Sequence, residues 1–253
     1  MELTPVTFLT VCPLVFLAGL IDSMAGGGGL ISLPAYLIAG APPHMALGTN
    51  KLSSSVGTVV STVRYIKNTK ISIVIAAVCV GSALLGSSLG TNLALLVEED
   101  LFRWIMVGIL PVVAVFVYLK KDLGQSDAKE PTPRPKTLLL CAAISLLIGA
   151  YDGFYGPGAG TFILLLFTAA VKMEILPASA YTKIVNLSSN IGALTVFIIN
   201  GKVIFLLGAV AAAFSVLGNF IGSKLVLTKG VAVVRPVMLI VLALLLIKLI
   251  TGM

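Results

Sequence analysis

Long hydrophobic runs separated by short polar breaks dominate the chain. They fall at 5–21, 30–39, 46–66, 71–97, 101–119, 138–150, 161–171, 178–199, 203–226 and 233–251. A helix that crosses a bilayer needs roughly 20 predominantly apolar residues, so most of these runs predict transmembrane helices. The runs at 30–39, 138–150 and 161–171 are shorter than a full crossing and predict broken or re-entrant helices.

The composition agrees with this pattern. The chain of 253 residues is 58% hydrophobic and 11% charged, with a mean hydropathy of +1.10, whereas a soluble domain carries roughly 25% charged residues. These values predict an all-α polytopic membrane protein. The formal net charge of +7 is interpreted as loop charge that orients the chain in the bilayer, and nucleic acid is not expected as a partner.

The ten runs form two copies of five segments. The stretch GLIDSMAGGGG at 19–29 aligns with GAYDGFYGPGA at 149–159, and Lys51 aligns with Lys183. Polar residues are rare here, so their coincidence indicates a duplication, which is the usual plan of secondary transporters. The predicted domains are a first transmembrane repeat at 1–119, a linker at 120–137 and a second transmembrane repeat at 138–253.

Loop charges predict that the second repeat is inverted relative to the first. The basic residues Arg64, Lys67 and Lys70 and the basic linker mark the cytoplasmic side, whereas the acidic loop at 98–100 marks the external side. In the second half the basic cluster moves to the next turn, which carries Lys224, Lys229 and Arg235. Inverted repeats with both termini external and a cytoplasmic linker follow from this distribution.

A glycine-rich turn separates two apolar segments in each half. Non-helical backbone inside a bilayer is tolerated only within protein or beside a water-filled cavity. Each turn opens a helix whose N-terminus presents free N–H groups and partial positive charge, which suits an anion. The alternative is that the glycines only permit tight packing. The predicted binding residues at the turns are Gly26, Gly27, Gly28, Gly29, Gly156, Gly158, Gly160 and Thr161.

The third segment of each half supplies further candidate donors to an oxyanion. Lys51 and Lys183 open these segments and are followed by hydroxyl and amide side chains. A single lysine there could instead extend to the membrane interface, but a symmetric pair favours a binding role. The predicted donors are Asn50, Lys51, Ser53, Ser54, Lys183, Asn186 and Ser189.

Asp22 and Asp152 precede the two glycine-rich turns and have two interpretations. They either carry a coupling proton or brace the broken turn by accepting hydrogen bonds from its N–H groups. Because an aspartate at an anion site would repel the substrate, the structural role is favoured.

Other small and reactive residues are assigned to packing. The four-residue spacing of Gly86 with Gly90 and of Gly218 with Gly222 is typical of close helix packing. The cysteines Cys12, Cys79 and Cys141 lie in apolar runs as small hydrophobic residues, and His44 is assigned to a loop. No metal-ligand spacing is present, so neither a metal nor a cofactor is expected.

At these residues the chain resembles the TauE/SafE sulfite exporter family of membrane proteins. The matching stretches are GLIDSMAGGGGLISLPAYLIAGAPPHMALGTNKLSS, GAYDGFYGPGAGTFILLLF and AYTKIVNLSSNIGAL, and the resemblance covers nearly the whole chain. It implies a transporter that moves sulfur-containing anions such as sulfite, sulfoacetate or other organosulfonates across the cytoplasmic (inner) membrane of a prokaryote.

Together these features predict a secondary transporter and not an enzyme. The anion is expected near the bilayer midplane between the two turns, with alternating access by rocking of one repeat against the other. A channel or uniporter with the same site, and a cation- or proton-coupled carrier that uses Asp22 and Asp152, are the alternatives. The expected partners are the small anion and the lipid bilayer, and a homodimer is left open.

Overall fold

The computed structural model describes residues 3–98, 101 and 131–229 of the chain. Within these ranges it contains helices and turns but no strand-built sheet. The helices are α1 (Pro5–Ala25), α2 (Gly29–Ile38), α3 (Pro43–Asn68), α4 (Ile73–Leu96), α5 (Pro135–Phe154), α6 (Ala159–Ala169), α7 (Ile175–Ile199) and α8 (Phe205–Lys229). The predicted all-α architecture, with two short helices that follow glycine-rich turns, is confirmed.

The two halves exchange their contacts. Helix α1 of the first half packs against α8 of the second, and α5 of the second half packs against α4 of the first. Helix α3 contacts α8 as α7 contacts α4, and α3 and α7 contact each other at the centre. Each contact therefore has a counterpart when the halves are exchanged, which agrees with an internal duplication. The inversion of the repeats relative to the membrane stays a prediction.

Closely spaced glycines hold the exchanged helices together. A Cβ on Gly86 or Gly90 would overlap the backbone of Leu146 or Ala150 on α5. On the other side of the bundle, a Cβ on Gly218 would overlap Phe16 and Leu20 of α1, and one on Gly222 would overlap Leu20 and Ser23. The predicted packing role of all four glycines is confirmed.

Five helices within the described ranges are long and apolar enough to cross a membrane: α1, α4, α5, α7 and α8. Their outer faces are apolar, as on α4, where Leu85, Leu89 and Leu93 are exposed at four-residue intervals. Such a face cannot be left in water and is suited to lipid. Helix α3, although it is 26 residues long, is too polar for this group because its buried face carries the candidate site.

Several predicted boundaries differ from the structure. Helix α5 begins at Pro135, inside the predicted linker, and its 20 residues make it long enough to span. The hydrophobic run at 138–150 is shorter than this helix because the helix continues through polar Tyr151 and Asp152 to Phe154. The predicted segments 101–119 and 233–251, apart from Leu101, and most of the linker lie outside the described residues.

His44 also differs from its prediction. It lies in the first turn of α3, not in a loop, and it is buried with its Nε2 atom 3.0 Å from the carbonyl oxygen of Ala94. The two prolines before it, at positions 42 and 43, start the helix instead of extending the loop, because proline is well suited to the first helical turn. The cysteines Cys12, Cys79 and Cys141 are buried free thiols, as predicted.

We expect Gly90→Ala to destabilise the protein and Gly81→Ala, on the same helix, to leave it as stable or more stable. A methyl group at Gly90 overlaps the α5 backbone, whereas a Cβ at Gly81 has nothing within 4 Å. Overpacking costs about 1–3 kcal/mol, and alanine otherwise favours a helix by about 1 kcal/mol. Thermal unfolding of the purified variants in detergent measures the difference. Equal melting temperatures for both variants would contradict the packing role.

Candidate functional site

The two glycine-rich turns touch each other at the centre of the molecule. Gly26 ends α1 in a left-handed conformation, with φ 75°. Its carbonyl oxygen accepts a hydrogen bond from the amide of Thr161 at 2.9 Å, and the Thr161 hydroxyl donates to the carbonyl oxygens of Ala25 and Gly26. A Cβ on Gly26 or Gly160 would overlap the other turn. The breaks in the two halves therefore form one structure, in which only glycine allows the backbones to approach.

The contact between the turns leaves amide groups free. Gly28 and Gly158 are the N-cap residues before α2 and α6, and neither helix has a side-chain cap. Among the described residues, the amides of Gly28, Gly29 and Gly160 have no backbone acceptor. Free first-turn amides together with the helix dipole make each end attractive to negative charge. The two short helices thus direct N–H donors toward one region between the halves.

Each half places a lysine on the aspartate of the other half. Lys51 of α3 forms an ion pair with Asp152 of α5, with Nζ and Oδ2 2.7 Å apart. Lys183 of α7 forms the equivalent pair with Asp22 of α1 at 2.9 Å. Three of these four side chains are more than nine-tenths buried, whereas that of Asp22 is 21% exposed. The sequence alignment paired lysine with lysine and aspartate with aspartate, and it did not reveal this crossing.

Further hydrogen bonds fix the two pairs. The Ser189 hydroxyl donates to Asp152 Oδ2, and Lys51 Nζ donates to Asn190 Oδ1 at 3.0 Å. Lys183 Nζ also donates to the backbone carbonyl of Asp22. An ammonium has three donors, so Lys51 keeps one N–H that these two partners do not use. The aspartates therefore accept bonds from lysine side chains, whereas the expected bracing used the N–H groups of the turns.

A cavity with an empty volume of about 540 Å³ lies between the turns and the central helices. Most of the predicted site residues line it: Asp22, Gly26, Gly28, Gly29, Asn50, Lys51, Ser54, Asp152, Gly156, Gly158, Gly160 and Asn186. The cavity thus brings both turns together with α3 and α7, as the aligned positions in the two halves predicted. Its lining combines backbone donors, amides and paired charges.

The remaining predicted residues lie next to the cavity and do not line it: Gly27, Ser53, Thr161, Lys183 and Ser189. Ser53 accepts a hydrogen bond from the Tyr36 hydroxyl at 2.8 Å. Thr161, Lys183 and Ser189 are engaged with the Gly26 turn, Asp22 and Asp152 respectively. These side chains support the residues that line the cavity.

Sequence reasoning missed other lining residues: Val15, Ala18, Gly19, Ser32, Thr58, Asn190, Ser215 and Asn219. An asparagine in an apolar helix is costly unless it is paired or faces a polar space, so Asn190 and Asn219 carried a detectable signal. The small residues did not, because alanine, serine and glycine are equally common where helices pack.

Asn186 stands out within the lining. Its residue exposure is 6%, and its side chain makes no hydrogen bond within the described part of the chain. A Cβ on Gly160 would lie 2.6 Å from Asn186 Nδ2, so the amide is next to the first turn of α6. Because this side chain lines the cavity, a ligand or a water molecule there can satisfy its amide.

No three His, Cys, Asp or Glu side chains within the described ranges are arranged to hold a metal ion.

A bundle of helices long and apolar enough to span a membrane, interrupted at its centre by two short helices around a polar cavity, is typical of membrane transporters. The comparison with known proteins agrees. The family model for the sulfite exporter TauE/SafE matches residues 11–249, and the chain belongs to this family.

The chain aligns with curated relatives over most of their length. A probable membrane transporter protein, ORF9 of Sinorhizobium sp, is 37% identical over 89% of this chain and 85% of its own. The probable membrane transporter protein YfcA of Escherichia coli K12 is 37% identical over 90% of this chain and 83% of its own. A probable membrane transporter protein of Haemophilus influenzae is 33% identical over 89% of this chain and 87% of its own. No solved structure matches the chain significantly.

We expect Lys51→Met to destabilise the protein strongly and the added change Asp152→Asn to restore much of the loss. The single variant leaves a buried aspartate unpaired, which costs about 3–5 kcal/mol, whereas removal of both charges is far less costly. Thermal unfolding in detergent measures both variants. Lys67→Met, at an exposed position near the end of α3, is the control and should melt like the parent. A single variant as stable as the parent would contradict the pairing.

Proposed function

We propose that the protein is a secondary transporter of small sulfur-containing anions, such as sulfite, sulfoacetate or other organosulfonates. The substrate is held near the bilayer midplane between the first turns of α2 and α6. The observation that carries the proposal is the Asn186 amide, which has no partner within the described part of the chain and lines the cavity beside free amides of two facing helix ends. The family name supports sulfite as a substrate class.

The donors around the cavity support an anion over a cation. Lys51 offers an N–H, and Asn186 offers an amide N–H₂. The negative charge that a cation would need is already neutralised, because the Lys51 and Lys183 ammonium groups are on Asp152 and Asp22. This occupation disfavours the cation carrier. In the proposed site Lys51 contacts the anion directly, whereas Lys183 positions the end of α1.

The uneven shape of the cavity supports alternating access. Gly19 of α1 and Asn219 of α8 line it, whereas their repeat equivalents Gly149 and Ser87 are packed between helices and do not. The void extends between α1 and α8 but not between α4 and α5, although the helix contacts are reciprocal. In a duplicated chain, an exchange of the two arrangements would give access from the other side.

The proposed setting is the cytoplasmic membrane of a prokaryote. The repeats are inverted, the linker at 120–137 is cytoplasmic and both termini are external, as the loop charges of Arg64, Lys67 and Lys70 favour. A channel or uniporter with the same site is the second candidate. Countertransport distinguishes a channel, because a channel does not exchange a labelled anion outside for an unlabelled anion inside against its gradient. Accumulation driven by a pH gradient distinguishes a uniporter, because a uniporter is not coupled to protons.

Reconstitution tests the function directly. We expect proteoliposomes preloaded with unlabelled sulfite or sulfoacetate to accumulate the labelled anion by exchange. Empty liposomes and liposomes loaded with chloride are the controls. Transport without exchange acceleration would favour the channel, and no transport of any sulfur anion would overturn the proposal.

Asn186→Ala tests the site. We expect the dissociation constant for methanesulfonate, measured by ligand-induced thermal stabilisation, to rise by about tenfold or more, because a hydrogen bond to a charged group contributes about 1.5–3 kcal/mol. Asn92→Ala, on the exposed face of α4, is the matched control and should bind like the parent. Unchanged affinity in the Asn186 variant would remove this residue from the site.

A further inference from the structure

We propose that the cavity selects singly charged oxyanions over doubly charged ones of the same size. This inference rests on the proposed anion site and narrows its substrate class. It follows from the charge balance of the side chains at the cavity and from the kind of donor that they leave free.

The ionised side chains at the cavity balance. Asp22, Lys51 and Asp152 line it, and Lys183 lies directly behind Asp22. These two lysines and two aspartates form two short ion pairs, at 2.7 and 2.9 Å. Of the described residues that line the cavity, none carries another charge. The sequence predicted two lysines as positively charged donors. Because each lysine is paired with an aspartate, these four side chains together have no net charge.

The positive character that remains belongs to dipoles. The carbonyl oxygens at the end of α1 are covered, since Thr161 donates to those of Ala25 and Gly26 and Lys183 donates to that of Asp22. The amides of Gly28, Gly29 and Gly160 are not covered by a backbone acceptor. Helix N-termini act as roughly half a positive charge each, so the two facing ends together match about one negative charge.

The amide side chains add donors without adding charge. Lys51 has no acceptor, so the atom that Asn190 turns toward it must be the carbonyl oxygen, and the 3.0 Å contact fixes this orientation. The Asn190 N–H₂ group is then free to face the cavity, which this residue lines. With Asn186 it gives two neutral donors beside the turns. Sequence reasoning had not singled out Asn190.

Desolvation decides between the two classes of anion. The cost of taking an ion out of water rises with the square of its charge, whereas its attraction to fixed dipoles rises only in proportion. A neutral site with dipolar donors can offset the cost for one charge. The second charge needs an unpaired cation, and both lysines are already committed to aspartates.

Methanesulfonate and sulfate test the inference in the parent protein. They are tetrahedral sulfur oxyanions of similar size with one and two charges. We expect thermal stabilisation of the purified protein to give a dissociation constant at least about tenfold lower for methanesulfonate than for sulfate. Tighter binding of sulfate would overturn the inference and leave the anion site intact. No stabilisation by either anion would instead count against the proposed function itself.

Asp152→Asn tests whether the preference for methanesulfonate over sulfate comes from the charge of the anion or from the methyl group of methanesulfonate. The variant leaves an oxygen that can accept from Lys51 and Ser189, but it frees one positive charge at the cavity. We expect the affinity ratio of the two probes to shift toward sulfate by about tenfold. Glu98→Gln changes the net charge equally at an exposed position after α4 and should leave the ratio unchanged. An unchanged ratio in a folded Asp152 variant would contradict the charge argument, and the comparison in the parent protein stands if that variant does not fold.

Discussion

Two buried ion pairs constrain the arrangement of every central helix. A lysine or an aspartate inside a membrane-spanning bundle is costly without a partner, and the described helices of each half place one of each at the centre. Lys51 reaches Asp152 and Lys183 reaches Asp22, so both partners of each pair come from different halves. The first pair joins α3 to the last turn of α5, and the second joins α7 to the last turn of α1. Neither half satisfies its own charges, which explains why the halves pack as exchanged partners.

The ion pairs also stabilise the breaks. Asp22 and Asp152 lie in the last turns of α1 and α5, immediately before the glycine-rich turns. The left-handed Gly26 and Gly158 then change the direction of the chain, and Thr161 joins the two turns by hydrogen bonds to α1 carbonyls. Carbonyl groups are therefore satisfied within the protein, while amides are left at the cavity. The cavity presents N–H donors because the hydrogen bonds between the two turns use the carbonyl groups and leave the amides free.

Much of this arrangement could be predicted from the sequence. Apolar runs gave the long helices, and the aligned motifs around Asp22 and Asp152 located the turns, because rare polar residues in an apolar chain are informative. Alignment compares equivalent positions, however, and a pair such as Lys51 with Asp152 joins positions that are not equivalent. Its existence depends on how the halves dock. The end of α5 was missed for a related reason, since Asp152 interrupts the apolar run and its partner Lys51 was not evident from the alignment.

The tethered ammonium groups also bear on how a transport cycle would be driven. A coupling cation leaves the protein on each cycle, whereas the ammonium groups paired with Asp152 and Asp22 stay attached to the chain. In the proposed mechanism the anion is then the only charge released from the cavity. For a singly charged substrate, a membrane potential of 100 mV contributes about 2.3 kcal/mol, and an interior that is negative drives that anion outward. Export of such an anion needs no coupling ion, whereas its import against the same potential does.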